Sequence, residues 1–210
     1  MTATLHCFAQ SGNAYKAALM LELCGQPWEP VFVDFFNGAS RAPEYAEVNE
    51  MAEVPVYTDE TLRLTQSGVI LDHLSRRHGK FGPQTESEQR EILRWTLWDN
   101  HKLTANLATG RFMQLFLPEK HRKADVIDFL LGRAKAAMAV LDRRLDGQEF
   151  LLGNRPTTAD LSCIGYMYFL EEIDMTPPPH VAAWRDRISA LPGWKHPYDL
   201  MPGHPRAGAA

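Results

Sequence analysis

The chain has 210 residues, 45% of them hydrophobic and 23% charged, with a formal net charge of −4. That length suits one large globular domain or two small ones. The acidic balance lacks the basic footprint of a nucleic-acid binder, and no apolar run approaches the ~20 residues that span a bilayer.

The first eighty residues alternate strand and helix patterns. Thr4 to Phe8 reads as a strand, and Asn13 to Cys24 as a helix with Ala17, Ala18, Leu21 and Cys24 on one face and Gly25 as its stop. Trp28 to Phe35 is a second strand, and Arg41 to Val48 a short, weak helix. Val54 to Thr58 and Leu62 to Thr65 are two short strands around an Asp59-Glu60 turn. Ser67 to His78 closes the unit as a helix. The order β-α-β-α-β-β-α describes a parallel unit with an antiparallel hairpin on its edge.

Lys80 to Thr85 carries Gly82 and Pro83 and reads as a linker. Beyond it the periodicity is helical: Glu86 to Phe116, Ala124 to Leu145, and Thr157 to Glu171, the last apolar nearly all round and therefore central in a bundle. Pro177-Pro178-Pro179 makes a rigid connector, Val181 to Leu191 a last amphipathic helix, and the tail from Pro192 is irregular. The expected fold is thus α/β plus all-α: a domain over residues 1–79, a linker over 80–85 and an all-helical domain over 86–210.

The three cysteines, Cys7, Cys24 and Cys163, are widely spaced and form no C-x-x-C pair, so they support neither a disulfide framework nor a metal site. They read as small buried hydrophobes in a reducing cytoplasm. Met1 to Gln10 shows no basic-then-apolar secretion signal.

Four short motifs could carry chemistry. Val54-Pro55 opens a strand with an X-Pro bond, where the proline gives up a ladder N–H and its predecessor is held extended. Gln66-Ser67 starts a helix, whose first N–H groups favour an anion, while Gln66 can accept from an ammonium. Ser11-Gly12-Asn13-Ala14-Tyr15-Lys16 starts another, where a Ser hydroxyl and an Asn amide can stabilise a thiolate. Thr157-Thr158-Ala159-Asp160 is a capping box, a stability device rather than a site. Taken singly, the Gln66-Ser67 and Ser11–Lys16 motifs are ordinary helix caps, with Ser67 or Thr65, and Ser11 or Asn13, as the cap. In a β-α-β-α-β-β-α unit, however, these two and Val54-Pro55 can face one crevice.

With these residues the chain resembles a cytosolic glutathione transferase over essentially its whole length. Val54-Pro55 resembles the family's cis-proline site, whose preceding residue pairs its backbone with glutathione's cysteinyl part. Gln66-Ser67 resembles the pair that holds the γ-glutamyl group. Pro156 to Leu161 resembles the family's capping box, and Leu191 to Pro197 with Met201-Pro202-Gly203 the ending of many bacterial members.

Ser11 to Lys16 is similar to the nu-class pattern Thr-Pro-Asn-Gly-x-Lys, and Ser11 falls where theta- and phi-like members keep a catalytic serine. The resemblance implies that Ser11 donates to the glutathione thiolate with Asn13 assisting, and leaves Tyr15 as a third-choice thiol partner. The family's Asn-Pro-x-Gly-Lys-Val-Pro is here Asn49-Glu50-Met51-Ala52-Glu53-Val54-Pro55, so a carboxylate, Glu53, stands where a lysine often meets the glycine carboxylate. Arg41 matches a basic position that can take over that role.

The resemblance further implies glutathione as cosubstrate without a metal, a homodimer, a cytoplasmic detoxification role, and an acceptor site between the domains with Trp98, His101, Lys102 and Tyr15 as candidates. Three functions follow: glutathione transfer to small hydrophobic electrophiles, glutathione-dependent disulfide-bond or peroxide reduction, and a non-catalytic binding or regulatory module on the same fold.

Overall fold

The computed structural model describes residues 2–203. It divides into two compact units, one running to Lys80 and including the tail from Leu191, the other Phe81–Ala190.

In the first unit, strands β1 (Ala3–Cys7), β2 (Trp28–Phe32), β3 (Val56–Thr58) and β4 (Arg63–Thr65) form one mixed sheet in the order β2-β1-β3-β4. β1 pairs in parallel with β2 and antiparallel with β3, and β3 with β4 antiparallel. The sheet is thioredoxin-like, and it carries the antiparallel hairpin on the edge of a parallel pair that the sequence reading expected. Pro30 is tolerated because β2 is an edge strand, where a missing N–H breaks no inner ladder. β2 stops three residues earlier than its apolar run. A turn replaces it, closed by Gly38 N–H to Phe35 C=O and Ala39 N–H to Asp34 C=O, both 3.0 Å.

Helix α1 (Gly12–Cys24) follows β1, α2 (Pro43–Ala46) follows β2, and α3 (Ser67–His78) follows β4. The Asp59 turn between β3 and β4 is held by its own side chain, which accepts from Thr61 N–H, Thr61 Oγ1 and Leu62 N–H at 2.8, 2.8 and 3.1 Å. Leu5, Cys7, Ala17, Ala18, Leu21, Val56, Tyr57, Ile70, Leu71 and Leu74 build the core. Burial pushes the Cys7 thiol up to about 12. Cys7, Cys24 and Cys163 form no disulfide among the described residues; Cys7 and Cys163 are buried and Cys24 is half-buried.

α1 is buried on almost every side rather than on one face, because the tail covers its outer surface. Tyr15 donates to the Lys195 carbonyl at 2.9 Å, the Lys195 ammonium meets Glu22 at 2.8 Å, and Ala9 N–H donates to Pro202 C=O at 2.7 Å. The tail also contains a short helix, α9 (Pro197–Leu200), with Pro at its start, where the sequence reading expected irregular chain. A Cβ added at Gly193 would stand 3.0 Å from the Glu22 carbonyl, so this close approach needs glycine.

The second unit contains α4 (Glu86–Trp98), α5 (Ala105–Leu115), α6 (Ala124–Leu145), α7 (Thr158–Cys163) and α8 (Pro179–Ser189). The long helix expected over 86–116 is interrupted by a π-helical stretch at Asp99–Thr104. Its first residue, Asp99, is fully buried and accepts from Thr104 Oγ1 and Ser162 Oγ, both at 2.7 Å. A side-chain network inside the helix thus sets the widened turn. The helix expected over 157–171 ends at Cys163, and a 3-10 stretch at Met167–Ile173 takes over after Gly165. α5 and α6 touch at Gly110, where an added Cβ would lie 2.6 Å from Leu131.

Residues expected as a free linker are pinned from Phe81 onward. The Phe81 carbonyl accepts from Thr158 N–H at 2.8 Å, and Arg155 donates to the Gly82 carbonyl at 3.0 Å and pairs with Glu88.

Candidate functional site

The site is built from three chain reversals of the first unit. The first is the turn between β1 and α1. Ser11 caps α1, accepting from Ala14 N–H at 3.1 Å, and is 5% exposed. Its hydroxyl oxygen is used as acceptor and its proton remains to be donated. Asn13, in the first turn of α1, carries an Oδ1 that is buried with no hydrogen-bond partner. The Ser11 hydroxyl proton and the positive end of α1 can stabilise a thiolate here, and Asn13 can add only its Nδ2 donors, since its unpaired oxygen accepts. Phe8 stacks on Phe35 at 4.9 Å and meets Phe36 edge-on at 5.6 Å, an aromatic cluster beside this turn that pattern reading passed over.

The second reversal precedes β3. The Val54-Pro55 bond is cis. Neither the N–H nor the C=O of Val54 is paired with another backbone group among the described residues, so both remain open to an extended ligand. The loop before it is organised by Asn49, which is 4% exposed. Its Nδ2 donates to the Glu53 carbonyl at 2.8 Å, its Oδ1 accepts from Met51 N–H at 3.0 Å, and Tyr45 adds a second donor to the Glu53 carbonyl at 3.1 Å. Ala52 sits in the left-handed region at φ 55°, at the position where the resembling pattern has glycine. The backbone shape is thus kept without the residue that adopts it most easily, at a cost of ~1 kcal/mol.

The third reversal joins β4 to α3. Gln66, at φ 65° and ψ 117°, precedes the helix without capping it. Among the described residues the N–H groups of Ser67 and Gly68 have no acceptor and the Ser67 hydroxyl has no partner; the residue as a whole is 5% exposed, yet this oxygen stays reachable from outside. This helix start can take a carboxylate. Gln66 donates from Nε2 to Glu53 Oε2 at 3.0 Å and to Met51 Sδ at 3.1 Å. The Glu53 carboxylate is thus turned toward Gln66, a contact that sequence spacing did not reveal.

Arg41 ends a 3-10 turn at Ala39–Arg41 and is exposed. No carboxylate pairs with it among the described residues. Tyr15 is a correction. It is fully buried, and its hydroxyl is taken by the Lys195 carbonyl, so it reaches neither a thiol nor an acceptor.

In the helical unit Trp98 and Lys102 come together with Asn106, Arg133, Ala136, Ala137 and Val140 around a cavity of about 270 Å³. Asn106 accepts from Arg133 Nε at 3.2 Å, which holds the guanidinium at this wall. His101 is exposed and does not line it. Trp95 lies in the core, edge-on to Trp98 at 5.1 Å. The Thr157–Asp160 capping box is complete. Asp160, wholly buried, accepts from Leu151 N–H, Thr157 N–H and Trp184 Nε1 at 2.8, 2.8 and 2.9 Å and from Thr157 Oγ1 at 3.0 Å. Burial raises its carboxyl above the usual range, with these donors pulling the other way.

Comparison with known proteins follows this division. Residues 1–76 match the family described as Glutathione S-transferase, N-terminal domain, and residues 104–192 match Glutathione S-transferase, C-terminal domain. The disulfide-bond oxidoreductase YfcG of Escherichia coli is 25% identical over 198 residues, covering 88% of this chain and 89% of that protein. Glutathione S-transferase 1 of Triticum aestivum is 24% identical over 218 residues, covering 94% and 93%. A crystal structure of a possible glutathione S-transferase from Rhodopseudomonas palustris superposes with a TM-score of 0.86 at 27% identity, covering 94% of this chain and 98% of that one.

Proposed function

Because the chain belongs to the cytosolic glutathione transferase superfamily, we propose that it is a cytoplasmic glutathione transferase acting on small hydrophobic electrophiles. The observation that carries this reading is the open start of α3: a Ser67 hydroxyl and two N–H groups that have no partner among the described residues. Val54 adds an unpaired N–H and C=O of its own. A γ-glutamyl carboxylate fits Ser67, an extended cysteinyl backbone fits Val54 beside Pro55, and the exposed Arg41 is the cation left for the glycine carboxylate.

Ser11 then donates its hydroxyl proton to the glutathione sulfur, and Asn13 and the α1 dipole add to the same field. These contacts favour the thiolate over the thiol, so the sulfur is the nucleophile at neutral pH. The thiolate forms a bond to an electrophilic carbon, and the leaving group departs with the electron pair. The protein supplies no nucleophile of its own, in keeping with the buried Cys7. Trp98, His101 and Lys102 stay the acceptor-binding candidates, Trp98 and Lys102 as lining of the helical unit's own cavity. A homodimer belongs to the same proposal, supported by exposed apolar side chains on three helices: Val69, Leu93 and Leu97, and Phe129.

A second reading, glutathione-dependent disulfide reduction, is favoured by the Escherichia coli relative. Steady-state assays separate the two. Turnover of 1-chloro-2,4-dinitrobenzene with glutathione is expected for the first, and turnover of 2-hydroxyethyl disulfide supports the second. Absence of any glutathione binding in calorimetry sinks both and leaves a non-catalytic module.

A further inference from the structure

The carboxylate of Glu53 is out of place in a site built for an acidic tripeptide, and its position explains why it is there. Glu53 turns its side chain toward Gln66. Its backbone carbonyl is tied down by Asn49 and Tyr45, and its Oε2 accepts from Gln66 Nε2 at 3.0 Å. Its second oxygen makes no hydrogen bond among the described residues. Gln66 is the residue immediately before Ser67, whose open N–H and hydroxyl await an anion. One anion-accepting start of a helix and one carboxylate with a spare oxygen are therefore held on either side of a single glutamine.

A plain anion at Ser67 would be repelled by Glu53, whose carboxylate is tied to the neighbouring Gln66, because like charges near each other at a protein surface oppose one another. A ligand head that carries both charges meets no such penalty. Its carboxylate takes the N–H groups and hydroxyl at Ser67, and its ammonium takes the free oxygen of Glu53 while Gln66 Oε1 accepts a second of its protons. The same carboxylate that attracts the ammonium turns away bare anions, so selectivity rests on repulsion as well as attraction.

Resting on the glutathione reading above, we infer that in this chain Glu53, set where the resembling pattern has a lysine, is the counter-ion of the ligand's α-ammonium group. Charge recognition is concentrated at the γ-glutamyl end.

The test is calorimetric titration of the full chain and of Glu53→Gln with two probes: glutathione, and N-glutarylcysteinylglycine, the same peptide with hydrogen in place of the α-amino group. The amide that replaces the carboxylate keeps an oxygen for Gln66, so the loop geometry is preserved. The unfolding midpoint of the variant checks this.

The native chain is expected to bind glutathione at least about fivefold more tightly than the glutaryl peptide, the preference that a partly exposed ion pair can supply. Glu53→Gln is expected to erase that preference by weakening glutathione alone. Equal binding of the two probes by the native chain, or an equal loss of both in Glu53→Gln, overturns the inference while leaving glutathione as the ligand. Binding of neither probe overturns the glutathione reading as well.

Discussion

The helix starts at Thr157 and at Gln66 solve the same problem in opposite ways. Both leave backbone N–H groups without carbonyl partners. At α7 the chain answers from within: Asp160 and Thr157 bond each other's backbone, and Leu151 and Trp184 fill the remaining acceptor sites. At α3 nothing answers. Gln66 does not cap, and Ser67 is buried with its hydroxyl unused. A closed helix start is a joint that holds the fold, and an open one is a socket for something the chain does not contain. The start of α1 lies between these extremes, with Ser11 bonded to Ala14 N–H and Asn13 Oδ1 left unpaired.

The largest effect that tests this contrast is at the closed joint. Asp160→Ala strands the Leu151 and Thr157 N–H groups and the Trp184 indole, and is expected to cost about 3–5 kcal/mol in urea unfolding, with the glutathione affinity of the remaining folded protein unchanged. A loss of affinity with stability intact would reverse the roles of the two helix starts.

Next is Ser11→Ala. It removes a donor to the sulfur, with an expected loss of turnover of about tenfold or more, the worth of a hydrogen bond to a charged group. The pKa of bound glutathione should rise, and stability should drop by ~1 kcal/mol from the lost cap. Should Asn13→Ala produce the change in thiol pKa while Ser11→Ala does not, the unpaired amide is the thiolate's partner.

At the open socket, Ser67→Ala is expected to weaken glutathione by about tenfold while leaving the unfolding midpoint in place. A drop in stability instead would show that this hydroxyl serves the fold.

The smallest change sharpens the geometry of the loop. Ala52→Gly removes the left-handed penalty at φ 55° and should stabilise by ~0.5–1 kcal/mol. If affinity stays constant, Asn49 and Tyr45 hold the Glu53–Val54 backbone in place without help from residue 52.

The strand and helix order of the first unit was legible because its periodicities are local, and Pro55 and the Gln66-Ser67 pair could be recognised from type and spacing. What escaped was set by partners distant in sequence. The π-helical turn at Asp99 depends on Ser162, sixty-three positions away. The burial of α1 all round depends on a tail more than 170 residues later, so Tyr15, polar-tipped and near the thiol turn, read as a site residue although Lys195 claims its hydroxyl. The identity of Glu53 was plain, but its direction was not. Only the folded loop shows that it bends toward Gln66.

The clasp of the tail on the first turn has a consequence for how the protein is made. Ala9 and Gln10, beside the proposed thiolate donor, are held by Pro202 and Gly203. The cradle's first segment therefore leaves the ribosome early but acquires its last hydrogen bonds only after the whole helical unit has been synthesised. Ala9 and Gln10 wait for Pro202 and Gly203, and a nascent chain cut short before Leu191 would carry every proposed glutathione contact and still lack these two bonds next to Ser11 in the chain.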